Sequence, residues 1–296
     1  MSAPLTVAID LGGTHLRGAL VEHDGTIVRR DRWATPSADE EPTALVKLID
    51  EVSKGYDVSR AVIGLPGVID HDAETLVHAP NLPPSWVPLL TDAWLTRRTG
   101  LDVALANDCD LAAVGEATFG AGQSHRDVVY VTISTGVGAG IVLGSKLMRG
   151  RYSGGEIGHT IIDRDLTAAG GDGTVEGLGS GTALGKAQAA AGLDPASGYL
   201  TDLVRAGDEA ANEVFTSGIE AAALGVVNLC WIVSPQMVVI GGGVGMHGDL
   251  VLPIVERMVQ AHGPRIGTID VVNAELGDDA ALVGAAAWWE AIGRES

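Results

Sequence analysis

Leu105-Ala106-Asn107-Asp108-Cys109-Asp110 joins two patterns, and their junction decides how the chain is read. Before it, Val103-Ala104-Leu105-Ala106 is an apolar run that stops abruptly at polar side chains. After it, Leu111-Ala112-Ala113-Val114-Gly115-Glu116-Ala117 has a helical pattern. In an open α/β sheet, ligands collect outside the carboxyl ends of the strands, where such junctions lie. A carboxylate placed there can be partly desolvated and aimed, as a general base requires. Asn107 and Asp108 have a second use as well, since both residue types cap helix N-termini.

Upstream, Leu5-Thr6-Val7-Ala8-Ile9-Asp10 reads as a buried strand ending in an acid. Leu11-Gly12-Gly13-Thr14 is a tight turn, Leu16–Val21 a second strand, and Asp24-Gly25 a hairpin signal before Thr26-Ile27-Val28. Glycines let backbone N–H groups approach a phosphate, and Thr14 adds a hydroxyl. Asp10 beside them suits a cation bridging phosphates. The turn fits neither the Walker pattern nor the dinucleotide fingerprint, because a strand rather than a helix follows it. Pro42 opens a helical pattern through Val52, with Pro in the first turn. Arg60–Asp70 reads as a strand broken at Pro66-Gly67, and His78–Trp86 as a proline-stiffened loop. Asn81 in that loop either binds a polar ligand or closes a turn. Residues 88–98 read as a helix.

Past Gly122 the pattern restarts. Val128–Ser134 is a strand, Thr135-Gly136-Val137-Gly138-Ala139-Gly140 a glycine turn, and Ile141-Val142-Leu143 a strand. Ala61-Val62-Ile63-Gly64 is echoed by Val238-Val239-Ile240-Gly241. The repetition predicts an internal duplication of topology, with two glycine hairpins able to hold a polyphosphate. Ser153-Gly154-Gly155-Glu156-Ile157-Gly158-His159 and the later Glu176 supply groups that can bond several hydroxyls. They lack the regular helical spacing of a zinc site, and a histidine such as His159 also serves structural ends. Residues 160–175 read as a loop. Residues 209–233 read as a long helix with an apolar face at Val214, Ala221, Leu224, Val227 and Cys230, stopped by Pro235. Gly241-Gly242-Gly243 after a buried strand offers bare backbone to a flat ring or sugar. A helix over 250–261, a strand over 269–272 and a final helix over 279–292 complete the chain.

The 296 residues suffice for one large or two ordinary domains. The net charge of -19 argues against a nucleic-acid surface, which needs basic clusters. Only Lys47, Lys54, Lys146 and Lys186 are lysines. That surface suits a high-salt cytoplasm, where self-repulsion is screened, and equally fits compositional drift. No apolar run reaches the ~20 residues of a membrane span, so no membrane partner is expected. Met1-Ser2-Ala3-Pro4 shows no secretory n-region. Cys109 and Cys230 have no metal spacing, and a reducing cytoplasmic setting follows.

Taken in order, the chain resembles the ROK family of sugar kinases. The resemblance rests on Asp10-Leu11-Gly12-Gly13-Thr14, Gly64-Leu65-Pro66-Gly67, Ala79-Pro80-Asn81-Leu82, Asn107-Asp108 and Ser134-Thr135-Gly136-Val137-Gly138. It continues through Gly155-Glu156-Ile157-Gly158-His159, Val175-Glu176, Gly241-Gly242-Gly243 and Gly277-Asp278-Asp279-Ala280. Each is weak alone; the ordered set spans nearly the whole chain. The resemblance implies an α/β, actin-like ATPase (ribonuclease H-like) fold of two similar lobes with a cleft between them. The lobes would be residues 1–107 with about 280–296, and residues 108–279. It implies ATP-dependent phosphorylation of a hexose, most simply glucose at the 6-hydroxyl, with Asp108 as general base. Gly67, Asn81, Asn107 and Asp108 would hold one side of the sugar, and Glu156, His159 and Glu176 the other. Gly12, Gly13, Thr14, Thr135 and Gly136 would grip phosphates, Asp10 would lie near Mg²⁺, and Gly241, Gly242 and Gly243 would line the nucleoside. A homodimer is common in the family.

The chain departs from the family twice. Family members usually carry a cysteine-rich zinc loop between the Glu-x-x-His segment and the later glutamate. Residues 160–175 contain no cysteine here, so the Cys₃His site cannot form and zinc is not expected. His15 stands where Lys is frequent. Two other readings are a kinase for N-acetylmannosamine or N-acetylglucosamine, with the same Asp108 chemistry, and a non-catalytic ROK-type regulator. The second usually carries an N-terminal DNA-binding extension, whereas the first strand here begins by Leu5.

Overall fold

The computed structural model describes residues 5–36, 41–194, 198–265 and 267–294; the reading of residues 1–4 lies outside them. Packing divides the chain into two compact units. One comprises Met1–Ser124, Gly140–Gly154 and Asp278–Ser296, the other His125–Ala139 and Gly155–Gly277.

The first unit opens with β1 (Leu5–Leu11), β2 (His15–Glu22) and β3 (Ile27–Ala34), a meander whose two tight turns carry the glycines Gly12-Gly13 and Gly25. After α1 (Thr43–Ser53), β4 (Arg60–Leu65) lies parallel to β1. A small hairpin, β5 (Val68–Asp70) and β6 (Thr75–His78), and α2 (Asp92–Thr99) lead to β7 (Asp102–Asn107), parallel to β4, and to α3 (Asp108–Phe119). The sheet order is β3-β2-β1-β4-β7. Central β1 and β4 are apolar almost throughout because both faces are covered; edge strand β3 alternates half-buried and exposed residues. Leu45, Leu48, Ile49 and Val52 form the buried stripe of α1, and Leu48 fills the space that Gly18 leaves on β2. The helix read over 88–98 begins only at Asp92. Residues up to Leu89 form turns around the fully buried Trp86, and Thr91 is the N-cap, its side chain accepting from Trp94 N.

The chain then forms β8 (Val128–Ile133), β9 (Val137–Leu143) and β10 (Lys146–Leu147), the last unforeseen from sequence. There follow α4 (Arg164–Ala168), α5 (Val175–Gly179), α6 (Gly181–Ala190), α7 (Leu200–Arg205), α8 (Glu209–Val233), β11 (Met237–Gly241), α9 (Gly242–Gly245), α10 (Gly248–His262) and β12 (Asp270–Asn273). The second sheet has the order β10-β9-β8-β11-β12. In both sheets the first strand lies between the second and the fourth, and the fifth forms an edge. The expected duplication is therefore present in strand order. The last segment, read as one helix, is α11 (Ala280–Gly284), a 3-10 turn and α12 (Trp288–Ala291).

Two expectations are corrected. The division after Asn107 falls instead after Ser124, because α3 packs along α11. A Cβ on Gly115 would strike Ala280 O, and one on Gly284 would strike Leu111 O, so the two helices meet backbone to backbone. Second, α8 is long and apolar enough, by length and composition, to cross a membrane. Its hydropathy comes from Ala, Val and Leu residues on a face that packs against α5, α6, α7 and α10. That face runs through Ala211, Phe215, Ile219, Ala222, Val226 and Cys230; Leu224 is exposed and Val214 half-buried, contrary to the sequence reading.

Candidate functional site

In the first unit, β7 ends where the sequence predicts. Asn107 is the N-cap of α3: its Oδ1 accepts from Cys109 N at 2.8 Å and Asp110 N at 3.3 Å. Its Nδ2 donates to Gly67 O at 3.1 Å. The capping role thus belongs to Asn107, which is buried and tied at both ends of its amide. Asp108 is the first residue of the helix, half-buried, with Oδ1 accepting from Cys109 N at 2.8 Å. A carboxylate on the first turn of a helix lies in the favourable field of its N-terminus.

Of the other expected residues of this unit, Gly67 bonds that junction through its carbonyl. Gly67 has φ +124°, and a Cβ there would run into His78 O, so only glycine lets this turn lie against the Ala79–Leu82 loop. Asn81 is exposed in that loop, and a Cβ on Gly13 would lie 2.8 Å from Asn81 O. The Gly12–Thr14 turn is held by Thr35, whose N donates to Thr14 O at 2.9 Å and whose Oγ1 donates to Gly12 O at 2.6 Å.

Asp10 has a partner the sequence reading missed. Arg17 Nε donates to Asp10 Oδ2 at 2.9 Å, Arg17 Nη2 donates to the same oxygen, and Nη1 donates to Asp278 O at 2.7 Å. The two residues are cross-strand partners in the β1–β2 register. A hairpin closing through Gly12–Thr14 pairs them directly, so the signal was present in the turn. Asp10 keeps Oδ1 as a hard oxygen acceptor, which suits a water-mediated contact to Mg²⁺.

In the second unit, Glu156 precedes a 3-10 turn, Ile157–His159, and its carboxylate lies 3.8 Å from His159 Nε2. Partial withdrawal from water pushes the Glu156 carboxyl above its ordinary value; His159 opposes this and the charge of Glu176 adds to it. Glu176, in the first turn of α5, accepts from Val137 N at 3.0 Å through Oε2, and the same oxygen occupies the space a Gly136 side chain would need. A Cβ on Gly158 would strike Val137 O. Glu156, His159, Glu176 and the Thr135-Gly136 turn are therefore neighbours, although one oxygen of Glu176 is committed to the turn. Gly181 N donates to Ser134 O at 2.7 Å and Thr182 Oγ1 to Thr135 O at 2.8 Å, so the start of α6 holds the turn as well.

Residues 160–175 are not an open loop. Ile162 N and Asp163 N both donate to Gly173 O at 2.9 Å, Val175 N donates to Thr160 O at 2.9 Å, and Asp163 caps the short α4. Backbone bonds close the segment on itself. Among the described residues no group of three or more His, Cys, Asp or Glu side chains could hold a metal ion.

Of the three glycines at the junction of β11 and α9, Gly241 packs against Tyr130 and Gly242, at φ +84°, against Thr132 and Ile133 O; a Cβ on Gly243 would meet nothing within 4 Å. Gly243 borders a cavity of about 510 Å³ with Gly181, Leu184, Tyr199, Phe215 and Val244. The cavity is largely apolar, concave and large enough for a nucleoside-sized ring system.

Comparison with known proteins gives the family of the chain. The sequence profile of the ROK family matches residues 6–292. A Thermotoga maritima glucokinase is 32% identical, over 95% of this chain and 95% of that protein. An N-acetylmannosamine kinase of Yersinia pseudotuberculosis is also 32% identical, over 95% and 97%. The crystal structure of a ROK family glucokinase from Streptomyces griseus, in complex with glucose and AMPPNP, has a TM-score of 0.79 at 32% identity, over 95% of this chain and 98% of that one. The chain has the actin-like ATPase fold and belongs to the ROK family, as a sugar kinase.

Proposed function

We propose that this protein phosphorylates a hexose with ATP, glucose at the 6-hydroxyl being the first candidate, and that Asp108 is the general base. The observation that carries the reading is the division of labour at residues 107 and 108. Asn107 performs the structural capping, and the carboxylate next to it begins α3 just beyond the carboxyl end of β7. Phosphoryl transfer relies on positioning and charge neutralisation. Asp108 would accept the proton of the attacking hydroxyl as that oxygen bonds to the terminal phosphorus and the bond to the ADP leaving oxygen breaks. Asn81 and the backbone of Gly67 would orient the sugar beside it. In the second unit, Glu156, His159 and Glu176 are proposed to bond sugar hydroxyls, the Thr135-Gly136 turn to bind phosphate, and the cavity beside Gly243 to take the nucleoside. Mg²⁺, when bound, neutralises phosphate charge; Asp10 Oδ1 would accept from its water shell. The complex of the Streptomyces griseus relative with glucose and AMPPNP supports both substrate classes.

Zinc independence belongs to the same proposal, supported by the lack of cysteine in residues 160–175. So do a homodimer and a cytoplasmic setting, the latter in keeping with two free cysteines.

The second reading, an N-acylhexosamine kinase, is favoured by the equally similar N-acetylmannosamine kinase. ADP release measured against hexoses and N-acylhexosamines tests both. The highest kcat/KM is expected with glucose; a preference for N-acetylmannosamine would move the assignment to the second reading. No ADP release with any sugar would remove the kinase reading.

A further inference from the structure

The described residues hold a second group of ionisable side chains, apart from those assigned above, on the outer edge of β7. This strand is the edge of its sheet and bonds only to β4. Its outward N–H groups need other acceptors, since unpaired edge groups are costly when buried and invite wrong pairing when exposed. The preceding helix supplies them. Asp92 Oδ1 accepts from Leu105 N at 3.0 Å, and Thr96 Oγ1 accepts from Val103 N at 3.3 Å. Leu105 is two residues before Asn107, so Asp92 grips the strand close to the point where it delivers Asp108.

Asp92 is half-buried beside a cavity of about 20 Å³, room for about one water molecule. The charged and titratable groups facing it are His71 and Glu74 from the β5–β6 turn, Asp102 at the start of β7, Arg149 after β10 and Arg294 after α12. Arg294 is partly neutralised by Glu74, its Nη2 lying 3.1 Å from Glu74 Oε1.

We propose that Asp92 is a positioning residue for the active end of β7: its carboxyl closes the outer edge of the strand by accepting from Leu105 N and so holds in place the segment that carries Asn107 and Asp108. Burial, with Glu74 and Asp102 adding to it, raises this carboxyl to about 7, while the Leu105 N–H and Arg294 oppose the rise. The folded chain therefore keeps this proton where the unfolded chain has lost it. The stability contribution falls as pH rises towards about 7 and stays low above it.

Asp92→Asn keeps an acceptor for Leu105 N and cannot ionise; Asp92→Ala removes the acceptor. Two readouts are needed, melting temperature at pH 5 and pH 8 and kcat together with nucleotide KM. The difference in melting temperature, Asp92→Asn minus wild type, should be more positive at pH 8 than at pH 5. Asp92→Asn, which keeps the acceptor, should keep the wild-type kcat. Asp92→Ala should lose about 3- to 10-fold in kcat with nucleotide KM unchanged, the weight of one hydrogen bond. The kinetic readouts rest on the sugar-kinase reading and the melting readout does not. A wild type with no phosphoryl transfer overturns that reading, and the melting comparison still judges the edge clamp. Equal melting differences at both pH values, or an Asp92→Ala variant that melts like the wild type, overturn the clamp, as does a loss in kcat that Asp92→Asn shares with Asp92→Ala.

Discussion

At the scale of the residue, the proposed division gives the chemistry to the Asp108 carboxylate and the helix cap to Asn107. Asp108→Ala should lower kcat at least ~100-fold, the contribution of a positioned base, while sugar binding survives in weakened form. Single-turnover kinetics with a calorimetric sugar titration measure both, and a variant with most of its turnover would end the assignment. Arg17 is the companion case. Its guanidinium bonds Asp10 and the Asp278 carbonyl, so Arg17→Met leaves a mostly buried carboxylate without its cation. A loss of ~1 kcal/mol in urea-unfolding stability is expected, solvent access keeping it small, and Arg17→Lys should recover part of it. The placement of Asp10 and Asn107 at the ends of β1 and β7, and of Asp108 at the start of α3, was legible in the sequence. Their partners were not, except that the hairpin turn already pairs Asp10 with Arg17.

At the scale of the element, the junction of β7 and α3 couples a helix cap to a turn. Asn107→Ala removes the cap, worth about 0.5–2 kcal/mol, and the bond to Gly67 O as well. Chemical denaturation should register at least the cap value, and Asn107→Asp, which keeps the capping oxygen and loses the donor, should fall between. The crossing of α3 and α11 gives another test. Gly284→Ala places a methyl against Leu111 O, and helix separation should cost about 1–3 kcal/mol, read as a lowered melting midpoint. Periodicity and caps revealed α1, α3 and α8 because those signals are local. The late start of α2 at Asp92 depends on Trp86 being buried under its turns, which no local pattern announces. The face of α8 was read only in part: Val227 and Cys230 are buried as expected, but Leu224 is exposed, and only the neighbouring helices decide which stripe is covered.

At the scale of the whole molecule, net charge sets the dependence on salt. A chain at -19 repels itself, and the repulsion is screened over about 10 Å at 0.1 M salt and about 3 Å at 1 M. The melting midpoint should rise as sodium chloride is raised across that range; an unchanged midpoint would favour compositional drift over adaptation to salt. The duplication was readable because glycine hairpins and apolar strands repeat along the chain, and the two sheets do share one strand order. The place of α3 was not, because its packing against α11 joins segments far apart in sequence. The amino-acid sequence by itself determined which stretches are strands, tight turns and capped helices, and which polar residues stand at strand ends, since those follow from neighbours a few positions away. Only the tertiary structure decided that Glu176 spends an oxygen on Val137, that Gly13 lies against Asn81, and that Asp92 closes the edge of β7. Contacts of that kind depend on how distant segments converge, and their individual residue types carry no periodic or local signal of it.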